Sequence, residues 1–169
     1  MPHPLVLALY PHPAAAAAGA RAAHGLGIPR DQISVVARSH DEEGALAEQM
    51  DATPGAEIED SRSAARFGEL SGQVLAAIAL VMPGIGPIVT AGPLSADLGE
   101  AAGHAAGSLA SVLLSAGVAV SRAETLQHEV EAGSILLGVH VMNGDVSAVA
   151  NALSSAGATS VETANWTEE

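Results

Sequence analysis

From Leu70 to Ser121 the chain runs 52 residues with only two formal charges, Asp97 and Glu100. Within that stretch Gly99, Gly103 and Gly107 form a GxxxGxxxG ladder. An insertion that lies on a surface needs polar side chains on its outer face, and this one has almost none. The stretch therefore belongs in a core, against a second copy of the chain, or in a membrane.

Its local signals predict two helices. Ser61 can cap a helix from about Arg62 to Met82, which Pro83-Gly84-Ile85-Gly86-Pro87 then breaks. A short apolar piece, Ile88 to Ala91, leads to Gly92-Pro93. Ser95, with Asp97 in the first turn, suits the N-cap of a long helix reaching about Val120. The two would form an antiparallel hairpin, each arm roughly 30–40 Å long at about 1.5 Å per residue. Gly99, Gly103 and Gly107 drift only about 40° per step around such a helix, so they share a face. Ala106 and Ala110 widen that smooth stripe, and Gly68 and Gly72 offer a shorter copy on the first arm. Glycine costs about 1 kcal/mol against alanine inside a helix, so a register of glycines implies close backbone packing that offsets the cost. A two-helix hairpin that is apolar all round cannot hide itself. The expected partner is therefore a second copy, in a dimer or larger homo-oligomer, with Gly99, Gly103, Gly107, Gly68 and Gly72 at the interface.

Lipid is the weaker host. Gln73 to Gly92 is uncharged over 20 residues, long enough to span, but Pro83 and Pro87 cut it about halfway. No Trp or Tyr belt and no positive flank marks either end. The N-terminal MPHPLVLALYPHP lacks a basic region and is bracketed by prolines, so a cytoplasmic protein is expected, with membrane association as the lesser alternative.

The flanks read as ordinary globular sequence. Pro4 to Tyr10 is an apolar strand, His12 to Leu26 an alanine-rich helix, and Gln32 to Arg38 a second strand parallel to the first. Arg122 to Glu131 is a polar helix, Ser134 to Val141 a strand, Val146 to Ser155 a helix, and Thr159 to Thr163 the last strand. Residues 41–60 hold eight acids and no base and read as an acidic linker that matches no calcium-loop spacing. Removing 41–120 leaves β-α-β followed by α-β-α-β. The fold class expected is α+β: a ferredoxin-like split β-α-β sandwich, interrupted by a long apolar, glycine-rich helical hairpin. Residues 1–40 and 121–169 make the sandwich, and 61–120 the insertion.

Several chemistries are excluded. The net charge is −13, from 19 acids and 6 bases, and every base is arginine. That balance disfavours nucleic acid, whose binding rests on cations. There is no cysteine, hence no disulfide or thiolate site. A phosphate loop of the Gly-Lys-Ser/Thr kind cannot exist without lysine, and no patterned Ser-His-Asp set or GxSxG occurs. No catalytic residue and no cofactor is expected. Metal is the one remaining chemistry. Glu100 and His104, and again Glu124 and His128, stand four residues apart, on one helix face, where both side chains reach one ion. Glu100 and His104 are the better pair because they interrupt an apolar stripe. His140 reads as a satisfied strand residue, and His3 and His12, beside prolines, as surface ligands.

SVVAR after the first helix, PGIGPIVTAGPLSADLGEAAGHAAG in the middle and EAGSILLGVHV near the end together resemble the heat-induced, general stress protein 17M-like family. The resemblance is most specific at PGIGP (83–87) and AGPLSADL (91–98). It implies a small α/β domain split by a glycine-rich apolar hairpin, bacterial stress association, and no established catalytic residues. The expectation is a non-enzymatic, stress-associated protein that assembles through its hairpin. The alternatives are a metal-binding or metal-oxidising bundle using Glu100 and His104, and a membrane-associated stress protein.

Overall fold

Leu5-Val6-Leu7-Ala8-Leu9 is apolar at every position, and a strand of that kind has to be covered on both faces. In the computed structural model, which describes residues 2–38, 78–82, 86–91, 93–94, 97–98 and 108–166, it is. This segment lies in β1 (His3–Tyr10), inside a six-stranded sheet that also holds β2 (Ile33–Arg38), β3 (Ile78–Met82), β4 (Gly86–Ala91), β5 (Ile135–His140) and β6 (Ser160–Trp166). The order is β3-β4-β2-β5-β1-β6, and every neighbouring pair is antiparallel. Because β1 and β2 both run antiparallel to β5, they are parallel to each other, as expected, with β5 between them.

The period of two divides the strands between two cores. Val6, Ala8, Tyr10, Ile33, Val35, Leu137 and Val139 face one side, under α1 (Pro13–Gly25) and α4 (Val146–Ser155). Leu5, Leu7, Leu9, Val36 and Leu136 face the other, under α2 (Leu109–Ser115), α3 (Val120–Glu131), Leu94 and Leu98. Helices thus cover both faces of the sheet. On the first side α1 packs through Ala16, Ala17, Ala20 and Ala23, whose small side chains let the helix lie close to the strands. Gly19 takes this to the limit: a Cβ there would stand 2.7 Å from Tyr10 Cζ. The Tyr10 hydroxyl donates to the Leu153 carbonyl at 2.8 Å, and burial pushes its pKa up to about 12.

The central segment departs from the two-helix expectation. Its first arm was to stay helical through Met82, but Ile78–Met82 is β3, paired with β4 from Ile78 opposite Thr90 to Met82 opposite Gly86. Pro83-Gly84-Ile85 therefore joins two strands rather than two helices. β4 continues the sheet onto β2, where the Thr90 hydroxyl donates to the Val35 carbonyl at 2.7 Å. The second arm was to be one helix from Ser95 to Val120. Leu94, Asp97 and Leu98 have helical backbone, yet Ser108 is extended, with φ −148 and ψ 166. Its hydroxyl accepts from the Ser111 amide and starts α2 afresh, while Ser111 reciprocates to the Ser108 amide. Gly117, at φ +92, and the extended Ala119 then separate α2 from α3. Gly68, Gly72, Gly99, Gly103, Gly107, Glu100, His104 and the acidic stretch 41–60 lie outside the described residues. Among the described residues no helix is long and apolar enough to cross a membrane.

Candidate functional site

Four adjacent strands each place one polar or aromatic residue at the same end of the sheet, on the face under α2 and α3. They are Ser34 from β2, His140 from β5, His3 from β1 and Trp166 from β6. Register explains the row. Ser34 is opposite Gly138, two residues before His140; His140 is opposite Leu5, two residues after His3; His3 is opposite Trp166. Ser34 Oγ lies 3.1 Å from His140 Nε2, and His140 Nδ1 lies 2.9 Å from His3 Nε2. Trp166 meets His140 edge-on at 5.1 Å between ring centroids and stacks on His3 at 6.4 Å. Above the row, the Leu94 amide donates to Ser34 Oγ at 3.0 Å. Gly138 makes room for that approach, since a Cβ there would lie 3.3 Å from Leu94 Cδ1.

Ser34 is fully buried and His140 is 1% exposed. Burial, with His3 nearby adding to it, pushes the His140 pKa down to about 4. The imidazole is therefore neutral at pH 7 and has one N–H to give. Ser34 Oγ accepts from the Leu94 amide and shares one proton with His140 Nε2, while His140 Nδ1 shares another with His3 Nε2. A hydroxyl oxygen can accept twice and donate once, so either His140 tautomer fits these contacts.

A serine, a histidine on its hydroxyl and an orienting group behind the histidine are the parts of an activated nucleophile. Here the hydroxyl has no path to a substrate, and a base held near 4 removes protons poorly at neutral pH. A shared metal is equally ill served. Two nitrogens bound tetrahedrally at about 2.0–2.1 Å stand about 3.3 Å apart. At 2.9 Å the His3 and His140 nitrogens share a proton instead. The row is a hydrogen-bonded proton chain sealed inside the fold.

Of the other residues singled out from sequence, Glu100 and His104 lie outside the described residues. Glu124 and His128 are both exposed on α3, and the His128 Nδ1 pairs with Glu131 Oε2 at 3.3 Å, three residues on, rather than with Glu124. Among the described residues no group of three His, Cys, Asp or Glu side chains converges on a metal position. His12 is exposed and caps α1, its Nδ1 accepting from the Ala15 amide at 3.3 Å. His140 is a satisfied strand residue, as expected. His3 was expected at the surface and is buried. The alternation of HPLVLALY carried the missing signal: His3 shares parity with Leu5, Leu7 and Leu9, and Pro4 falls at the strand's start without ending it. No family model, no curated protein and no solved structure matches the chain.

Proposed function

We propose that this chain is a non-enzymatic, stress-associated cytoplasmic protein of the general stress protein 17M-like kind, self-assembling through its glycine-rich 61–120 segment. The observation that carries the reading is the pair Leu114 and Val120. They stand 41% and 60% exposed on either side of the α2–α3 connection, at the C-terminal end of that segment. The fold otherwise covers both faces of its sheet with its own helices. Leu26 and Met142 are also exposed, but they lie in loops outside the segment. Apolar side chains left uncovered beside an apolar, glycine-rich stretch are what a second copy would bury. The order β2-β5-β1-β6, with α1 and α4 as crossovers, supports a ferredoxin-like core into which the segment is inserted between β2 and β5.

Light scattering on detergent-free protein tests the reading: a mass of two or more chains is expected, and a clean monomer at micromolar concentration overturns it. Gly103→Leu should lower that mass, and an unchanged mass and melting temperature would refute close packing at the glycine ladder. Metal analysis of the same untagged sample separates this reading from the alternative of a metal-binding bundle through Glu100 and His104.

A further inference from the structure

We propose that Asn143–Gly144, in the turn between β5 and α4, is a covalent modification site. There the Gly144 backbone nitrogen closes on the Asn143 carboxamide to a succinimide, which water opens to aspartate and isoaspartate. The chemistry has three requirements. The carboxamide must be able to swing toward the chain, the following N–H must be able to lose its proton, and no side chain may crowd that nitrogen.

This turn meets all three. Asn143 and Gly144 are exposed and lie outside helix and strand. Among the described residues neither the Asn143 side chain nor the Gly144 amide makes a hydrogen bond. Gly144 has φ +137, which L side chains rarely adopt, so the turn requires a glycine at this place. Apart from its chain neighbours, a Cβ there would meet only Val141 Cγ1, at 3.8 Å. The glycine that the turn needs is thus also what leaves Asn143 open to attack.

The other two asparagines show that exposure alone is not the signal. Asn151 and Asn165 are exposed as well. Asn151 precedes Ala152 inside α4, where the amide belongs to the helix ladder. Asn165 precedes the bulky Trp166, in the β1–β6 pairing.

The step balances with water as the sole co-reactant. The Gly144 nitrogen gives up its proton and bonds to Asn143 Cγ; the Cγ–Nδ2 bond breaks and ammonia leaves. Water then cleaves the ring. Cleavage at Cγ leaves an ordinary aspartate. Cleavage at the backbone carbonyl carries the chain through Cβ, leaves the α-carboxylate as the side group, and adds a methylene to the main chain. The connection it lengthens is short. The Val141 amide is fixed to the Pro4 carbonyl at 2.9 Å, and Asp145 caps α4 through the Ser147 and Ala148 amides, so only Met142, Asn143 and Gly144 lie between two anchors. Either product also sets a new negative charge beside the α4 N-terminus.

The test incubates the folded protein in mildly alkaline buffer at physiological temperature, beside a sample unfolded in urea. Peptides are then sequenced by electron-transfer fragmentation, which separates aspartate from isoaspartate. Both products should accumulate at position 143 while residues 151 and 165 stay amides. The folded rate at 143 should fall within about tenfold of the unfolded rate, since a site that needs no opening carries little protection. An intact Asn143 in folded protein whose unfolded chain reacts overturns the proposal. So does equal conversion at all three asparagines. Asn143→Gln keeps the amide but enlarges the ring that must close, so ammonia release from the folded protein should drop to background; undiminished release refutes the site. None of these readouts depends on assembly, so this inference and the proposed function can fail separately.

Discussion

His140 has a folded-state pKa of about 4, while an imidazole in an unfolded chain titrates near about 6.5. Between those values the unfolded chain binds a proton that the folded chain refuses, so stability rises with pH across the window. The contribution is complete above about pH 6.5 and is lost as pH falls toward about 4, with a ceiling of about 3 kcal/mol for the single group. Urea midpoints taken at about pH 7 and about pH 4.5 should therefore differ more for the parent protein than for His140→Gln. Equal differences in the two would mean that carboxylates alone set the acid sensitivity. The residues of this row were unevenly legible. His140 could be placed because SILLGVHV reads as a strand whatever its neighbours do. His3 was hidden by its prolines. Ser34 carries no signal of its own in ISVVAR, because its partner is 106 residues away and is fixed only by the register of β2 on β5.

At the level of elements, sequence was informative where local chemistry decides and misleading where pairing decides. The alanine run of α1, the Asp145 cap of α4 and the continuous apolar runs of β1 and β5 all form what their residues prefer. Ile78–Met82 does not. It follows an alanine-rich run that extends a helical pattern, and only the ladder offered by β4 makes it a strand. Ser108 was a local signal that the long apolar run concealed. Its capping box starts a helix of seven residues, which is too short to form without a cap and tertiary packing. Ser108→Ala removes the acceptor for the Ser111 amide and should cost about 1 kcal/mol, read as a lower urea midpoint at unchanged slope. A loss below about 0.3 kcal/mol would show that Leu109, Val112 and Leu113 hold α2 by packing alone.

For the whole molecule, the central segment is part of the architecture rather than an appendage. It gives the sheet two further strands through β3 and β4, and it supplies Leu94, Leu98 and α2 to the second core. A sequence reading finds two β-α-β halves but not this, because the charge-poor stretch looks equally suited to a core, a partner or a bilayer. Part of the answer is now its own core. Among the described residues of the segment, the large apolar side chains left exposed are Leu114 and Val120, and the assembly proposal can be tested on them. A Leu114→Glu, Val120→Glu double variant adds two charges to an already acidic chain at positions that make little use of the monomer's interior. If a second copy covers them, burying unpaired carboxylates there is prohibitive, and the scattering mass should fall to that of one chain. Thermal stability measured on the resulting monomer should stay within about 1 kcal/mol of the parent at matched dilution, as exposed substitutions do. An unchanged mass would place the contact between copies elsewhere and detach the exposed pair from assembly. A monomer that also unfolds would mean that the fold depends on its partner.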